Sequence, residues 1–251
     1  MNLDLAGKAA LITGSSKGIG WAIAEALHAE GCRVALSGRS ADDLAVATSR
    51  LGGAIGVAGD VTQPREAVNV VTEAVGALGC LDILVCNVGG GRSAAPGDET
   101  PEEWQRVFGL NLWSATNTVE AAKSALISSR GAVVCISSIC GLEAIPGAPV
   151  TYSAAKAALN AYVRGIARPL GKHGVRINAV APGNILFDGS VWSRKLAEDE
   201  EAVQSMLGRE VALGSLGSPE DVANLVTYLA SSRSAFATGQ IWTLDGGQTR
   251  S

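Results

Sequence analysis

A chain of 251 residues, 47% hydrophobic and 18% charged, is long enough to bury one substantial core, and a single domain over residues 1–251 is expected. A formal net charge of −4 and a pI near 5.3, with no basic run, leave no electrostatic basis for a nucleic acid partner. No apolar run reaches the ~18 residues of a membrane span, the N-terminus lacks a signal-like leader, and the five cysteines form no Cys-x-x-Cys pair; a soluble cytoplasmic chain without a metal or membrane partner is expected.

In chain order, near-continuous apolar runs at residues 9–12, 34–36, 54–58, 83–85, 133–136, 175–180 and 241–244 predict seven strands, the third the weakest. Between them residues 19–29, 64–75, 101–111, 112–127, 151–171 and 219–230 read as helices, several opened by the proline or threonine favoured in a first turn. Strands that are apolar on both faces and alternate with helices imply an α/β doubly wound Rossmann fold with a mostly parallel sheet. Residues 183–214 break the alternation, carrying the acidic patch Glu198-Asp199-Glu200-Glu201 and two potential anchors, Phe187 and Trp192. A long excursion after a strand's C-terminal end is where a substrate loop or lid would sit.

The first strand ends in Thr13-Gly14-Ser15-Ser16-Lys17-Gly18-Ile19-Gly20 and runs into a helix, so a diphosphate can rest on the free N–H groups of the helix start. The spacing is Gly-x-x-x-Gly-x-Gly, and Lys17 precedes its glycine, which argues against an ATP-hydrolysing loop. At the end of the second strand a carboxylate would bind the ribose hydroxyls of NAD and repel the extra phosphate of NADP. Gly38 stands there instead, followed by Arg39, with Lys17 in the neighbouring loop. NADP(H) is therefore expected ahead of NAD(H), the plainer reading being that Arg39 only solvates the strand end. Asp60-Val61 and Asn87-Val88-Gly89-Gly90 follow the third and fourth strands at the same sheet edge.

Tyr152 and Lys156, four residues apart near a helix start, project from one face and can act as a pair. A tyrosine is a poor base at neutral pH, and a nearby ammonium favours its phenolate. Ser137 and Ser138 end the fifth strand; Ser138, which opens the turn towards Tyr152, is the better candidate for binding a carbonyl. Cys86 and Cys140 lie near these elements and are read as packing groups. Arg92, after Gly89-Gly90-Gly91, is a candidate for meeting a carboxylate or phosphate, or a solvated loop residue.

Taken together, Thr13-Gly14-x3-Gly18-Ile19-Gly20, Asp60-Val61, Asn87-Val88-Gly89, Asn111, Ser138, Tyr152-x3-Lys156, Pro182-Gly183 and Asp245-Gly246-Gly247 resemble the short-chain dehydrogenase/reductase family over virtually the whole chain. The resemblance implies an oxidoreductase that interconverts a carbonyl and a secondary alcohol, in the style of 3-oxoacyl-carrier-protein reductases or polyol and sugar dehydrogenases. It implies that Ser138 orients the carbonyl, Tyr152 transfers the proton, Lys156 binds the nicotinamide ribose and lowers the tyrosine's pKa, and Asn111 holds a relay water. It places Gly14, Ser16, Lys17, Gly18 and Ile19 on the pyrophosphate, Asp60 and Val61 on adenine, Asn87 and Gly89 beside the adenosine ribose, and Pro182, Gly183 and Ile185 beside the nicotinamide. A homotetramer or dimer is implied by kinship alone. Three departures stand out: Cys86 replaces the first amide of the family's Asn-Asn-Ala-Gly, Phe187 replaces a usual threonine, and the Ser138 to Tyr152 interval is one residue longer around Ala148-Pro149-Val150. The alternatives are a catalytically silent cofactor sensor, an NAD-preferring polyol or sugar dehydrogenase, and epimerase or dehydratase chemistry with a tightly held cofactor.

Overall fold

Strands that are apolar at nearly every residue must be covered on both sides, and the computed structural model, which describes residues 2–250, covers the three at the centre of its sheet so. The seven strands are β1 (Ala9–Thr13), β2 (Arg33–Gly38), β3 (Ile55–Ala58), β4 (Ile83–Cys86), β5 (Ala132–Ile136), β6 (Arg176–Pro182) and β7 (Ile241–Leu244). They form one fully parallel sheet in the order β3-β2-β1-β4-β5-β6-β7. The order reverses between β1 and β4, so the loops after these two strands diverge and leave a crevice at the sheet's C-terminal edge.

Side chains alternate between two cores with the period of two that a strand imposes. Leu11, Leu84 and Cys86 point into one core with α3 (Pro64–Leu78), α5 (Ser114–Ser129) and α6 (Val150–Gly171). Ile12, Ile83 and Val85 point into the other with α1 (Gly18–Ala29), α2 (Ala41–Arg50) and α9 (Pro219–Ala230). The expected strands and both helical layers are present. Among the described residues no helix is long and apolar enough to cross a membrane.

The structure differs from the sequence reading in three places. Helix α2 was not expected; Ser40 caps it by accepting the Asp43 N–H at 3.1 Å. The two helices expected to meet between residues 111 and 112 are α4 (Pro101–Phe108) and α5, joined without a break by a π-helical turn, Gly109–Trp113, that carries Asn111. Residues 183–214 hold two helices, α7 (Val191–Glu198) and α8 (Glu200–Glu210), capped by Ser190 and Asp199. They bury Val203, Leu207 and Val211 against Trp192, Leu196 and Met206, a small core apart from the sheet's two large ones.

Candidate active site

The turn after β1 brings backbone donors to the crevice. Gly14 and Gly18 take φ of +62° and +59°, which L side chains rarely adopt. Buried Ser15 ties the turn to β2: its hydroxyl donates to the Ile12 carbonyl at 2.7 Å and accepts the Ser37 N–H at 3.1 Å. Asn87, after β4, donates from Nδ2 to the carbonyls of Thr13 (3.0 Å) and Gly14 (2.8 Å). A Cβ on Gly20 would lie 2.3 Å from the Gly14 oxygen and 2.4 Å from Asn87 Nδ2. Gly20→Ala is therefore expected to cost at least about 2 kcal/mol and to weaken dinucleotide binding, measured by denaturant unfolding and a cofactor titration. Helix α1 starts at this turn with no side-chain cap and no acid in its first turn. Its unsatisfied N–H groups suit a diphosphate, so the residues present fit the dinucleotide.

Lys17 and Arg39 are exposed, and neither joins an ion pair among the described residues. Gly38 lies beside the Ser16 hydroxyl, 3.9 Å from where a Cβ would be, which sets Ser16 next to the β2 end that Arg39 continues. Asp60 is tied into its own turn, accepting the Thr62 N–H at 3.0 Å, while Asn117 holds the carbonyls of buried Val61 (3.3 Å) and Thr62 (3.1 Å).

Further along the edge, a cleft of about 850 Å³ opens. Gly14, Lys17, Gly18, Ile19, Asn87, Gly89, Ser138, Tyr152, Lys156, Pro182, Gly183 and Ile185 line it; Ser16, Arg39, Asp60 and Val61 lie outside this lining. Asn111 is buried behind the loop after β4, where its Oδ1 accepts the Gly90 N–H at 2.9 Å and its Nδ2 donates to Val107 O at 3.0 Å and Gly90 O at 3.2 Å. A Cβ on Gly89 would stand 2.9 Å from Asn111 Oδ1 and 3.0 Å from Lys156 Nζ, so one bare glycine separates the two side chains. Lys156 is 2% exposed and donates to the Ile136 carbonyl at 2.8 Å, with its Nζ 5.8 Å from the Tyr152 ring centre. Gly141 packs flat on α6: a Cβ there would be 2.6 Å from the Lys156 carbonyl carbon, so Gly141→Ala should displace the helix that carries both groups and abolish most turnover.

Ser137 and Ser138 have different tasks. Ser137 donates to Asn160 Oδ1 at 2.6 Å within the core, whereas Ser138 accepts the Cys140 N–H at 3.2 Å and faces Tyr152. Burial pushes the Tyr152 phenol up to about 12, against the pull of the Ser138 hydroxyl. The expected lowering by Lys156 is absent in the chain alone, because burial dominates. Burial brings Lys156 itself down to about 8. Burial also raises the Cys140 thiol, in keeping with a packing role.

The longer Ser138 to Tyr152 interval becomes cleft wall through Ile145, Pro146, Ala148 and Pro149. The same cleft is lined by Trp192, Arg194 and Met206 from α7 and α8; the sequence reading does not single out Arg194 and Met206, and only the capping residues Ser190 and Asp199 hint at helices there. Phe187 lies across the glycine turn, with its Cε2 2.7 Å from where a Gly18 Cβ would be. Among the described residues no cluster of metal-ligating side chains occurs.

The family model described as enoyl-(acyl carrier protein) reductase matches residues 14–249. The 3-oxoacyl-[acyl-carrier-protein] reductase of Rickettsia bellii is 34% identical over 249 residues, covering 98% of both chains. The structure of L-sorbose reductase from Gluconobacter frateurii, complexed with NADPH and L-sorbose, superposes with a TM-score of 0.94 at 30% identity and full coverage of both chains. A 7α-hydroxysteroid dehydrogenase complexed with NADH and 7-oxo glycochenodeoxycholic acid superposes at 0.90 with 30% identity, over 100% of this chain and 97% of that one. Sequence, sheet order and cleft agree: the chain belongs to the short-chain dehydrogenase/reductase family, NAD(P)-dependent oxidoreductases acting on CH–OH and carbonyl groups.

Proposed function

We propose that the chain is an NADP(H)-dependent reductase interconverting a carbonyl and a secondary alcohol, with Tyr152 as the proton-transferring group. The observation that carries this is the convergence of Ser138, Tyr152, Lys156 and, behind Gly89, Asn111 at the edge where α1 leaves its N–H groups free. A bound nicotinamide would supply or accept the hydride. Gly14, Ser16, Lys17, Gly18 and Ile19 would hold the diphosphate, Asp60 and Val61 the adenine, Asn87 and Gly89 the adenosine ribose, and Pro182, Gly183 and Ile185 the nicotinamide. Ser138 hydrogen-bonds the carbonyl oxygen, the neutral Tyr152 phenol gives it a proton, and Lys156 holds the ribose beside it.

With its phenol pushed up to about 12 by burial, Tyr152 is neutral at physiological pH and holds the proton that reduction needs. Lys156 loses its charge above about 8, so reductive kcat/KM is expected to fall above that pH while Tyr152 stays protonated. A pH profile at saturating cofactor that stays flat to pH 10 would contradict this assignment.

NADP(H) preference rests on Arg39 and Lys17, exposed cations with no acid at the β2 end. Arg39→Ser is expected to weaken NADPH about 10-fold and NADH hardly at all, read by fluorescence titration. Equal losses for both cofactors would remove Arg39 from the 2′-phosphate. Kinship supports a homotetramer or dimer, which sedimentation would test.

A further inference from the structure

We infer that the substrate carries an oxyanion, a carboxylate or a phosphate, held at the cleft mouth by Arg92 and Arg194; this rests on the oxidoreductase reading and narrows it to a substrate class. The chain has 24 Asp and Glu against 20 Lys and Arg, yet the cleft lining reverses that balance. Lys17, Arg92, Lys156, Arg194 and Lys195 line it, with Glu210 the one acid among them. Lys17 and Lys156 are among the residues proposed to hold the dinucleotide, whereas the other three are not.

Arg92 is presented by a loop fixed from behind. Its carbonyl accepts from Arg106 Nη2 at 2.8 Å, and the Ala94 N–H donates to Glu103 Oε1 at 3.1 Å. Arg106 and Glu103 pair at 2.7 Å, an arrangement that holds the Glu103 carboxyl down at about 2 and keeps it charged. The preceding residue, Gly91, lies against the phenol: a Cβ there would be 3.9 Å from Tyr152 Cε1. Arg92 therefore leaves the backbone one residue from the reacting group. Its guanidinium has no hydrogen-bond or ion-pair partner among the described residues.

Helix α7 supplies the second cation. Helix α7 is seated on α8 through Trp192 and Leu196. Lys195 is drawn onto the Trp192 ring, 4.6 Å from its centre, and Glu210 is neutralised by Arg209 at 2.8 Å. The Arg194 guanidinium also has no partner among the described residues. Two unpaired guanidinium forks lining one cleft suit a bidentate oxyanion. Ile139, Ile145, Pro149 and Trp192 between them suit a short apolar body. A cleft of one sign also concentrates an anionic substrate, in a salt-dependent way.

The test uses matched probes with the full chain and saturating NADPH: 4-oxopentanoate against its methyl ester, and dihydroxyacetone phosphate against dihydroxyacetone. The anionic member of at least one pair is expected to have a kcat/KM about 10-fold or more above its neutral partner at low salt, with the ratio falling as salt rises. Which pair shows the preference distinguishes a carboxylate from a phosphate. In the R92Q/R194Q variant the ratio should collapse towards about 1, the loss of one or two charge-assisted hydrogen bonds. NADPH affinity, measured in parallel, separates this effect from the cofactor's own charges. Binding of 4-oxopentanoate and inorganic phosphate to the wild-type complex with NADP+, followed by calorimetry, gives a second readout that needs no turnover. Loss of anion binding in the double variant supports the inference. Ratios near 1 in the wild type, or undetectable anion binding, would overturn it. Tyr152-dependent reduction of the neutral probes would then leave the oxidoreductase reading standing.

Discussion

Tyr152→Phe is expected to lower kcat about 1,000-fold, the contribution of one positioned general acid, while cofactor affinity stays within about fivefold, the worth of one hydrogen bond. The ring is what packs: it lies against Gly91 and within 5.8 Å of Lys156 Nζ, and phenylalanine keeps it. Only the hydroxyl is lost, and with it the proton that the developing alkoxide needs. Because the phenol stays protonated throughout, the loss should be of similar size across pH 6 to 8 in the reductive direction. Single-turnover measurements with bound NADPH would read the chemical step directly. A variant that retained a tenth of wild-type turnover would transfer the proton donor to another group.

Lys156→Met is expected to abolish most activity and to stabilise the fold. The ammonium is 2% exposed, and burial brings its pKa from 10.5 to about 8. Below pH 8 the group is charged in both the folded and unfolded chains, so the folded chain bears the full cost of the buried charge. Between pH 8 and 10.5 the folded chain releases the proton first, and stability rises with pH. The shift corresponds to a cost of about 3 kcal/mol at neutral pH. Methionine removes that cost but gives up the hydrogen bond to the Ile136 carbonyl, about 1 kcal/mol or somewhat more. The balance is a gain of about 1 to 2 kcal/mol, or a Tm higher by roughly 3 to 6 °C for a chain of this size. The variant's Tm should also lose the wild type's rise between pH 8 and 10. A lower Tm in the methionine variant would mean that the ammonium is stabilised by its surroundings and is not under tension for the sake of function.

Both predictions depend on burial, and burial is what the sequence leaves open. The all-apolar strands, the glycine turn before α1 and the four-residue Tyr152 to Lys156 spacing are local patterns, and each appears in the structure where it was read. Helix α2 escaped because only Leu44 and Ala47 of its ten residues are buried and its first turn carries Asp42 and Asp43. Helices α7 and α8 escaped because their apolar residues face each other rather than the sheet, which leaves no stripe in register with the main core. The π-helical turn at Asn111 contains Gly109 but no proline, and the chain runs through it without interruption where the sequence reads as two abutting helices. The choice of Ser138 over Ser137 finds its physical reason only in a contact from α6, Asn160, 23 residues away. The same holds for charge: proximity of a lysine to a tyrosine suggests a lowered phenol pKa, whereas depth in the protein sets the opposite direction.

The most direct test of the account is a fluorescence titration with NADPH and NADH, followed by turnover of a carbonyl panel read at the reduced-nicotinamide absorbance, in the wild type and Tyr152→Phe. NADPH is expected to bind more tightly than NADH, and its consumption to disappear in the variant. Saturable binding of either cofactor with no turnover, or turnover indifferent to Tyr152, would contradict it.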